Sequence, residues 1–144
     1  MENTQDIVAL VGFRAGPGGV GNVMRNLATG LARHGQRVDL LLGAATHPDL
    51  ADAQHPLVRQ VPIGAWKGVG LAAGLTRYFA SERPRVVLTN KEAATRAAVV
   101  ARRAARVPTR HAIRLGNPLS ATLARRHVVK RVLRELSIRA FYPR

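Results

Sequence analysis

The chain of 144 residues suffices for one domain with a buried core, and an apolar content of 47% excludes a disordered protein. It has no cysteine, which excludes disulfide and thiolate chemistry. Its formal net charge is +15, and after residue 100 twelve Lys or Arg residues face one acid, Glu135. We expect anionic partners: lipid head groups, nucleic acid or phosphorylated substrates. The alternative is an arginine-rich surface that only keeps the protein solvated.

The N-terminus and the lengths of the apolar runs bear on location. The first six residues are polar and acidic, unlike a signal peptide. No apolar run approaches the roughly 18 residues of a membrane span. We therefore expect a cytoplasmic protein, with peripheral attachment to the inner face of the membrane as a further option.

Short apolar runs alternate with segments of helical periodicity along the chain. Five strands are predicted from these runs: Ile7 to Phe13, Arg37 to Leu42, Leu57 to Ile63, Arg85 to Asn90 and Thr109 to Leu115. Four helices are predicted from the periodicity: Val23 to His34, Trp66 to Ser81, Lys91 to Val107 and Leu119 to Phe141. The second helix is the weakest prediction, because three glycines interrupt it.

This alternation predicts a doubly wound, Rossmann-like parallel α/β sheet that forms a single domain over residues 1–144. The first strand should be central, with the second and third strands on one side and the fourth and fifth on the other. Ligands gather at the carboxyl ends of the strands in such sheets. That edge should carry residues 14–21, 44–47, 64–67, 90–91 and 114–120.

A glycine-rich stretch, Gly16 to Asn22, joins the first predicted strand to the first predicted helix. Glycine lets backbone N–H groups come close to an anion, and a helix N-terminus adds unpaired N–H groups and the positive end of its dipole. Phosphate is therefore the first ligand to consider. The alternative is a tight turn that only packs the helix onto the sheet.

Other motifs for phosphate or catalysis are incomplete. Gly16, Gly18 and Gly21 satisfy the dinucleotide pattern G-x-G-x-x-G, but the only candidate acid for a ribose, Asp39, falls early in the second strand. The P-loop pattern fails because Asn22 stands where its lysine would be. The five histidines are scattered, no D-x-D occurs, and no serine sits in a nucleophile elbow. Neither a metal site nor a complete catalytic constellation is predicted.

Two early segments resemble a known family. Gly18 to Leu27, followed by Leu31 to Leu40, looks like the opening of family 4 glycosyltransferases of the GT-B fold. In that family a first strand leads to a G-G loop, a helix, the motif G-H-x-V and the second strand; here Gln36 replaces the histidine. Arg85 to Asn90 resembles the strand that usually reads P-D-V-V. Arg110 to Ser120 resembles the strand and loop on the acceptor side of the cleft.

The resemblance implies the N-terminal, acceptor-binding half of a retaining enzyme that needs no metal or other cofactor. In the family a C-terminal domain grips the nucleotide sugar with two glutamates eight residues apart, and the 144 residues contain no such pair. We therefore expect the C-terminal nucleotide-sugar domain to be absent from this chain, and the chain alone to be inactive. The implied partners are this domain, a nucleotide-sugar donor, a sugar or lipid-linked acceptor, and an anionic membrane surface.

Site residues carried over from the resemblance, or placed by position, fall into three groups, with no catalytic residue identified. The donor-phosphate group is Gly18, Gly19, Val20 and Gly21. The acceptor candidates are Arg14, Asn90, Lys91, Arg114 and Asn117. The membrane-surface candidates are Lys130, Arg131 and Arg134. The competing interpretation is a non-catalytic basic module that binds nucleic acid or another phosphate-bearing ligand, although aromatics for base stacking are few.

Overall fold

A computed structural model of the chain describes residues 6–12, 19–43 and 55–114. Its elements, in chain order, are β1 (Ile7–Val11), α1 (Gly19–Arg33), β2 (Arg37–Leu42), β3 (Val58–Pro62), α2 (Gly68–Glu82), β4 (Val86–Thr89), α3 (Glu92–Ala105) and β5 (Arg110–Ile113). The predicted five strands and first three helices are confirmed, with shifts at their ends. The fourth predicted helix, Leu119 to Phe141, lies outside the described residues.

The five strands form one sheet in the order β3-β2-β1-β4-β5, and every neighbouring pair is parallel. Val8 of β1 pairs with Val38 of β2 on one side and with Val86 of β4 on the other. The predicted strand order is therefore confirmed. Pro62 ends the edge strand β3, where the missing N–H of proline costs no interior ladder bond.

Alternation along the strands divides the core between the two faces of the sheet. Ala9 and Val11 of β1 join the cluster that buries α2 and α3. Leu10 joins the cluster that contains Met24 and Ala28 of α1. Helices thus cover both faces of the sheet. A strand that is buried on both faces must be apolar at successive positions, as β1 is.

The first helix begins at Gly19, earlier than the predicted Val23, so part of the predicted glycine turn is helical. The N–H groups of a first helical turn make no intrahelical bond, so those of Gly19, Val20 and Gly21 have no partner within the helix. Burial of Met24 and Ala28 then holds the helix on the sheet.

Helices α2 and α3 each end on an arginine in the left-handed region. The φ angles are 47° at Arg83 and 52° at Arg106, and the Arg106 N–H donates to the carbonyl of Arg103 at 3.2 Å. The prediction that Pro108 ends the third helix was wrong by two residues, because this cap closes the helix first.

One of the glycines in α2, Gly74, is required by packing. A Cβ built on Gly74 would collide with the carbonyl oxygen of Ile63, the residue that follows β3. The glycine that weakens the helical pattern is therefore the residue that lets α2 approach the sheet edge.

Candidate functional site at the carboxyl edge of the sheet

The order of the strands reverses at β1, which selects one part of the carboxyl edge. From β1 the chain builds outward through β2 and β3, then returns to the other side of β1 to add β4 and β5. The loops after β1 and β4 thus leave in opposite directions, and a crevice at such a point is the usual ligand site of open α/β sheets. The relevant residues are those that follow β1, β4 and β5.

Gly12 brings the end of β1 against the loop between β4 and α3. Its φ is +90°, and a Cβ built on it would lie 2.7 Å from Cβ of Ala94 and 3.3 Å from the backbone N of Lys91. The Asn90 N–H donates to the carbonyl of Val11 at 3.2 Å. No side chain fits between these segments, so the position of Asn90 is set by the central strand.

Asn90 and Arg114, both predicted acceptor residues, are in direct contact. Nη1 of Arg114 donates to Oδ1 of Asn90 at 2.8 Å, and the Arg114 backbone N–H donates to the carbonyl of Thr89 at 2.8 Å. Both residues are half-buried, whereas neighbouring Lys91 is exposed at the N-cap of α3. The structure therefore places these three candidates together; Arg14 and Asn117 lie outside the described residues.

The start of α1 has the features of an anion-binding helix terminus. Gly19 is exposed, and among the described residues a Cβ built on it would meet no atom within 4 Å outside its chain neighbours and the backbone of its own helix. The first turn carries no acidic residue that would offset the positive end of the helix dipole. Val20 and Gly21 belong to this turn, while Gly18 lies outside the described residues. Asn22 accepts a hydrogen bond from Arg25 on the exposed surface of the helix.

A chain of buried hydroxyl groups lies beneath the Asn90–Lys91 loop. Thr95 Oγ1 donates to the carbonyl of Lys91 at 3.1 Å and lies 2.9 Å from Oγ1 of Thr89, which lies 2.9 Å from Nε2 of His111. Each hydroxyl has one proton to give. Thr89 must therefore donate to Thr95, and Nε2–H of His111 must donate to Thr89.

His111 is thereby fixed as the Nε2–H tautomer while neutral. Desolvation by burial lowers the pKa of His111, and the nearby charge of Arg102 lowers it further. Sequence reasoning missed this network because a lone histidine and two threonines on separate elements share no spacing signal.

Asp39, the candidate acid for a ribose in the dinucleotide alternative, binds Arg59 and Tyr78 instead. Its Oδ1 accepts from Nε of Arg59 at 3.0 Å, and its Oδ2 accepts from Nη2 of Arg59 and from Oη of Tyr78, both at 2.7 Å. Asp39 is 3% exposed, whereas Glu82, which also accepts from Arg59, is nearer the surface. The carboxylate therefore ties β2 to β3 and α2 and is not free for a ribose.

The ionisation of this network follows from its contacts. The hydrogen bond to Asp39 raises the pKa of Arg59, in part offset by desolvation. Burial raises the pKa of Tyr78, and the negative charge of Asp39 raises it further. Both groups stay protonated at neutral pH, so the network is a permanent structural link.

Two further properties of the described residues are their potential to bind a metal ion and to span a membrane. Residues 6–12, 19–43 and 55–114 contain no group of three or more His, Asp or Glu side chains placed to hold a metal ion. Within the same part of the chain, every helix is too short or too polar to cross a bilayer. The membrane-surface candidates Lys130, Arg131 and Arg134 lie outside it.

Comparison with known proteins identifies the family. The family model described as "Glycosyl transferase 4-like domain" matches residues 18–144, starting in the glycine-rich stretch. No curated protein and no solved structure matches the chain. The parallel five-stranded sheet agrees with the N-terminal half of a GT-B glycosyltransferase. Since the match covers most of its length, the chain belongs to the glycosyl transferase 4-like domain family.

Proposed function

We propose that this domain is the acceptor-side half of a retaining glycosyltransferase that moves a sugar from a nucleotide-sugar donor to an acceptor. One observation carries the proposal: α1 begins at Gly19, inside the glycine-rich stretch and beyond the carboxyl end of the central strand β1. The family match starts in the same stretch, at residue 18. These observations support the N–H groups of the first turn of α1 as the ligands of a diphosphate at the point where the sheet order reverses.

The chemical contribution of α1 is to stabilise the leaving diphosphate. When the bond between the sugar and the diphosphate breaks, negative charge grows on the phosphate oxygen. The unpaired N–H groups of Gly19, Val20 and Gly21, together with the helix dipole, favour that charge more than they favour the intact donor. We assign the same role to Gly18, the residue before the helix.

The acceptor lies, in this proposal, over the loops that follow β4 and β5. Asn90, Lys91 and Arg114 offer hydrogen-bond donors there, and Asn90 and Arg114 are held by backbone bonds to Val11 and Thr89. A lipid-linked acceptor at an anionic membrane surface fits the net charge of +15.

Replacement of Gly19 by valine tests the role of α1. The new Cβ meets no side chain of the described residues within 4 Å, so Gly19→Val should fold, yet its methyl groups would obstruct a diphosphate. With a donor-binding half supplied, turnover should fall by roughly one to three orders of magnitude, the scale of lost transition-state hydrogen bonds. Gly30→Val, an equally open position in α1 and far from its start, should keep its turnover.

Transfer of radiolabelled sugar is the measurement for both variants. The 144 residues alone should give none, because they lack the paired glutamates of the donor domain. Equal turnover of Gly19→Val and the parent enzyme would remove α1 from the mechanism. Robust transfer by the isolated chain would contradict the division of labour between two halves.

A further inference from the structure

Arg114 and Arg59 differ in whether a carboxylate neutralises their charge. Nη2 of Arg59 contacts two carboxylates, at 2.7 Å in Asp39 and 2.8 Å in Glu82. The guanidinium of Arg114 is held instead by the neutral amide oxygen of Asn90. Within the part of the chain that the structure describes, no carboxylate pairs with Arg114. Its orientation is fixed while its positive charge remains available.

The orientation of Arg114 leaves donors for a ligand. The bond to Asn90 uses Nη1, and among the residues that the structure describes Nε and Nη2 have no side-chain partner, so they keep the fork geometry that matches two oxygens of one oxyanion. Exposed Lys91 adds a second positive charge next to Asn90. Two cations thus flank a side chain that the central strand holds in place.

We propose that Asn90, Lys91 and Arg114 form a receptor for a phosphate group carried by the acceptor substrate. The proposal rests on the proposed function, because it names the acceptor of that same site. Arg114 follows β5, which lies two strands and about 10 Å from β1 at the usual strand spacing, whereas α1 contacts β2 and β3 on the opposite side of β1. The phosphate at Arg114 is therefore separate from the donor diphosphate, and the acceptor hydroxyl lies between them.

The test measures binding of glycerol 1-phosphate to the purified chain, with glycerol as the uncharged probe. Arg114→Gln should weaken glycerol 1-phosphate binding about 10- to 100-fold, as expected for the loss of a charged hydrogen-bond pair. The matched control is Arg110→Gln, which removes the same charge from an exposed position at the other end of β5. That control should change the dissociation constant less than twofold.

A second variant separates loss of binding from loss of folding. Asn90→Asp replaces the neutral amide by a carboxylate of nearly the same shape, so the contact with Arg114 becomes an ion pair. Its melting temperature should not fall, yet it should lose binding of glycerol 1-phosphate as strongly as Arg114→Gln. Binding by Asn90→Asp at the parent's affinity would overturn the proposal, as would equal effects of the two arginine variants.

Two further arms of the experiment identify the source of the phosphate and test the proposed receptor separately from the donor site. In one arm, vesicles that contain phosphatidate replace glycerol 1-phosphate. If Arg114→Gln, but not Arg110→Gln, weakens binding to these vesicles, the acceptor is lipid-linked. If Arg114→Gln weakens binding of glycerol 1-phosphate alone, the acceptor is soluble. Absence of that loss in both arms refutes the receptor. Pyrophosphate, followed by the amide signals of Gly19 and Gly21, should bind Arg114→Gln and the parent equally. Failure of pyrophosphate to bind the parent would count against the donor site alone.

Discussion

At the scale of single residues, Gly12 fixes how closely the loops after β1 and β4 approach. Gly12→Ala should lower the free energy of unfolding by about 1–3 kcal/mol, because a left-handed φ strains alanine and its Cβ would collide with Ala94. Gly30→Ala is the control, since its surroundings in α1 are open and alanine favours the helix by up to about 1 kcal/mol. Urea denaturation measures both, and equal stabilities would contradict the close approach.

His111 should make the stability of the domain depend on pH. Because burial lowers the pKa of His111 in the folded state, the unfolded chain takes up the proton first. The contribution of neutral His111 is therefore complete above the ordinary pKa of 6.5 and is lost as the pH falls toward the lowered value. His111→Gln, which cannot titrate, should lose less stability between pH 7 and 5 than the parent does. Parallel unfolding curves over this range would refute the assignment.

At the scale of elements, the Asp39–Tyr78 hydrogen bond joins β2 to α2. Tyr78→Phe should reduce the free energy of unfolding by about 1–3 kcal/mol, the cost of leaving a buried acceptor short of a partner. Binding of nucleotide sugars to the assembled enzyme should not change, because Asp39 serves the fold. Thr76→Val should have a smaller effect, because among the described residues the Thr76 hydroxyl bonds only to a carbonyl of its own helix. Chemical denaturation distinguishes the two variants.

The elements were largely predictable from local pattern. The run from Ile7 to Val11 reads as a strand because both of its faces are buried, and the alternation of strands and helices predicts a parallel sheet, as observed. Two details were not predictable from this pattern, one because of a tertiary contact and the other because of a local backbone cap. Gly74 weakens the local signal for α2 but is required by the carbonyl of Ile63, and the cap at Arg106 leaves no signature before Pro108.

The candidate site was predictable in place but not in detail. Topology alone put Asn90 and Arg114 at one edge, since both follow parallel strands. Their direct hydrogen bond depends on strand register, which the sequence pattern does not contain. The hydroxyl chain from His111 to Thr95 depends on side-chain direction across two strands and a helix, so no spacing rule could find it.

At the scale of the whole molecule, the positive charge predicts weak attachment to anionic membranes. Each Lys or Arg near such a surface contributes about 1 kcal/mol, and salt screens the attraction. Changing Lys130, Arg131 and Arg134 together to Glu should abolish cosedimentation with anionic vesicles at low salt, while neutral vesicles bind neither protein. The control makes the same charge change at three exposed arginines on separate elements, Arg33, Arg77 and Arg103. Equal sedimentation of the two triple variants would contradict a localised membrane surface.

The central place of β1 has a consequence during synthesis. Val8 pairs with Val38 on one side and with Val86 on the other, so 78 residues separate the partners across the second edge (86 − 8). At about 5–20 residues per second, this second partner leaves the ribosome roughly 4–16 s after β1. During that interval an apolar strand has at least one unpaired edge, which is the kind of surface that chaperones bind and that promotes aggregation. The nascent chain should therefore depend on chaperones until β4 has emerged, and its yield should rise when translation across β2 to β4 is fast.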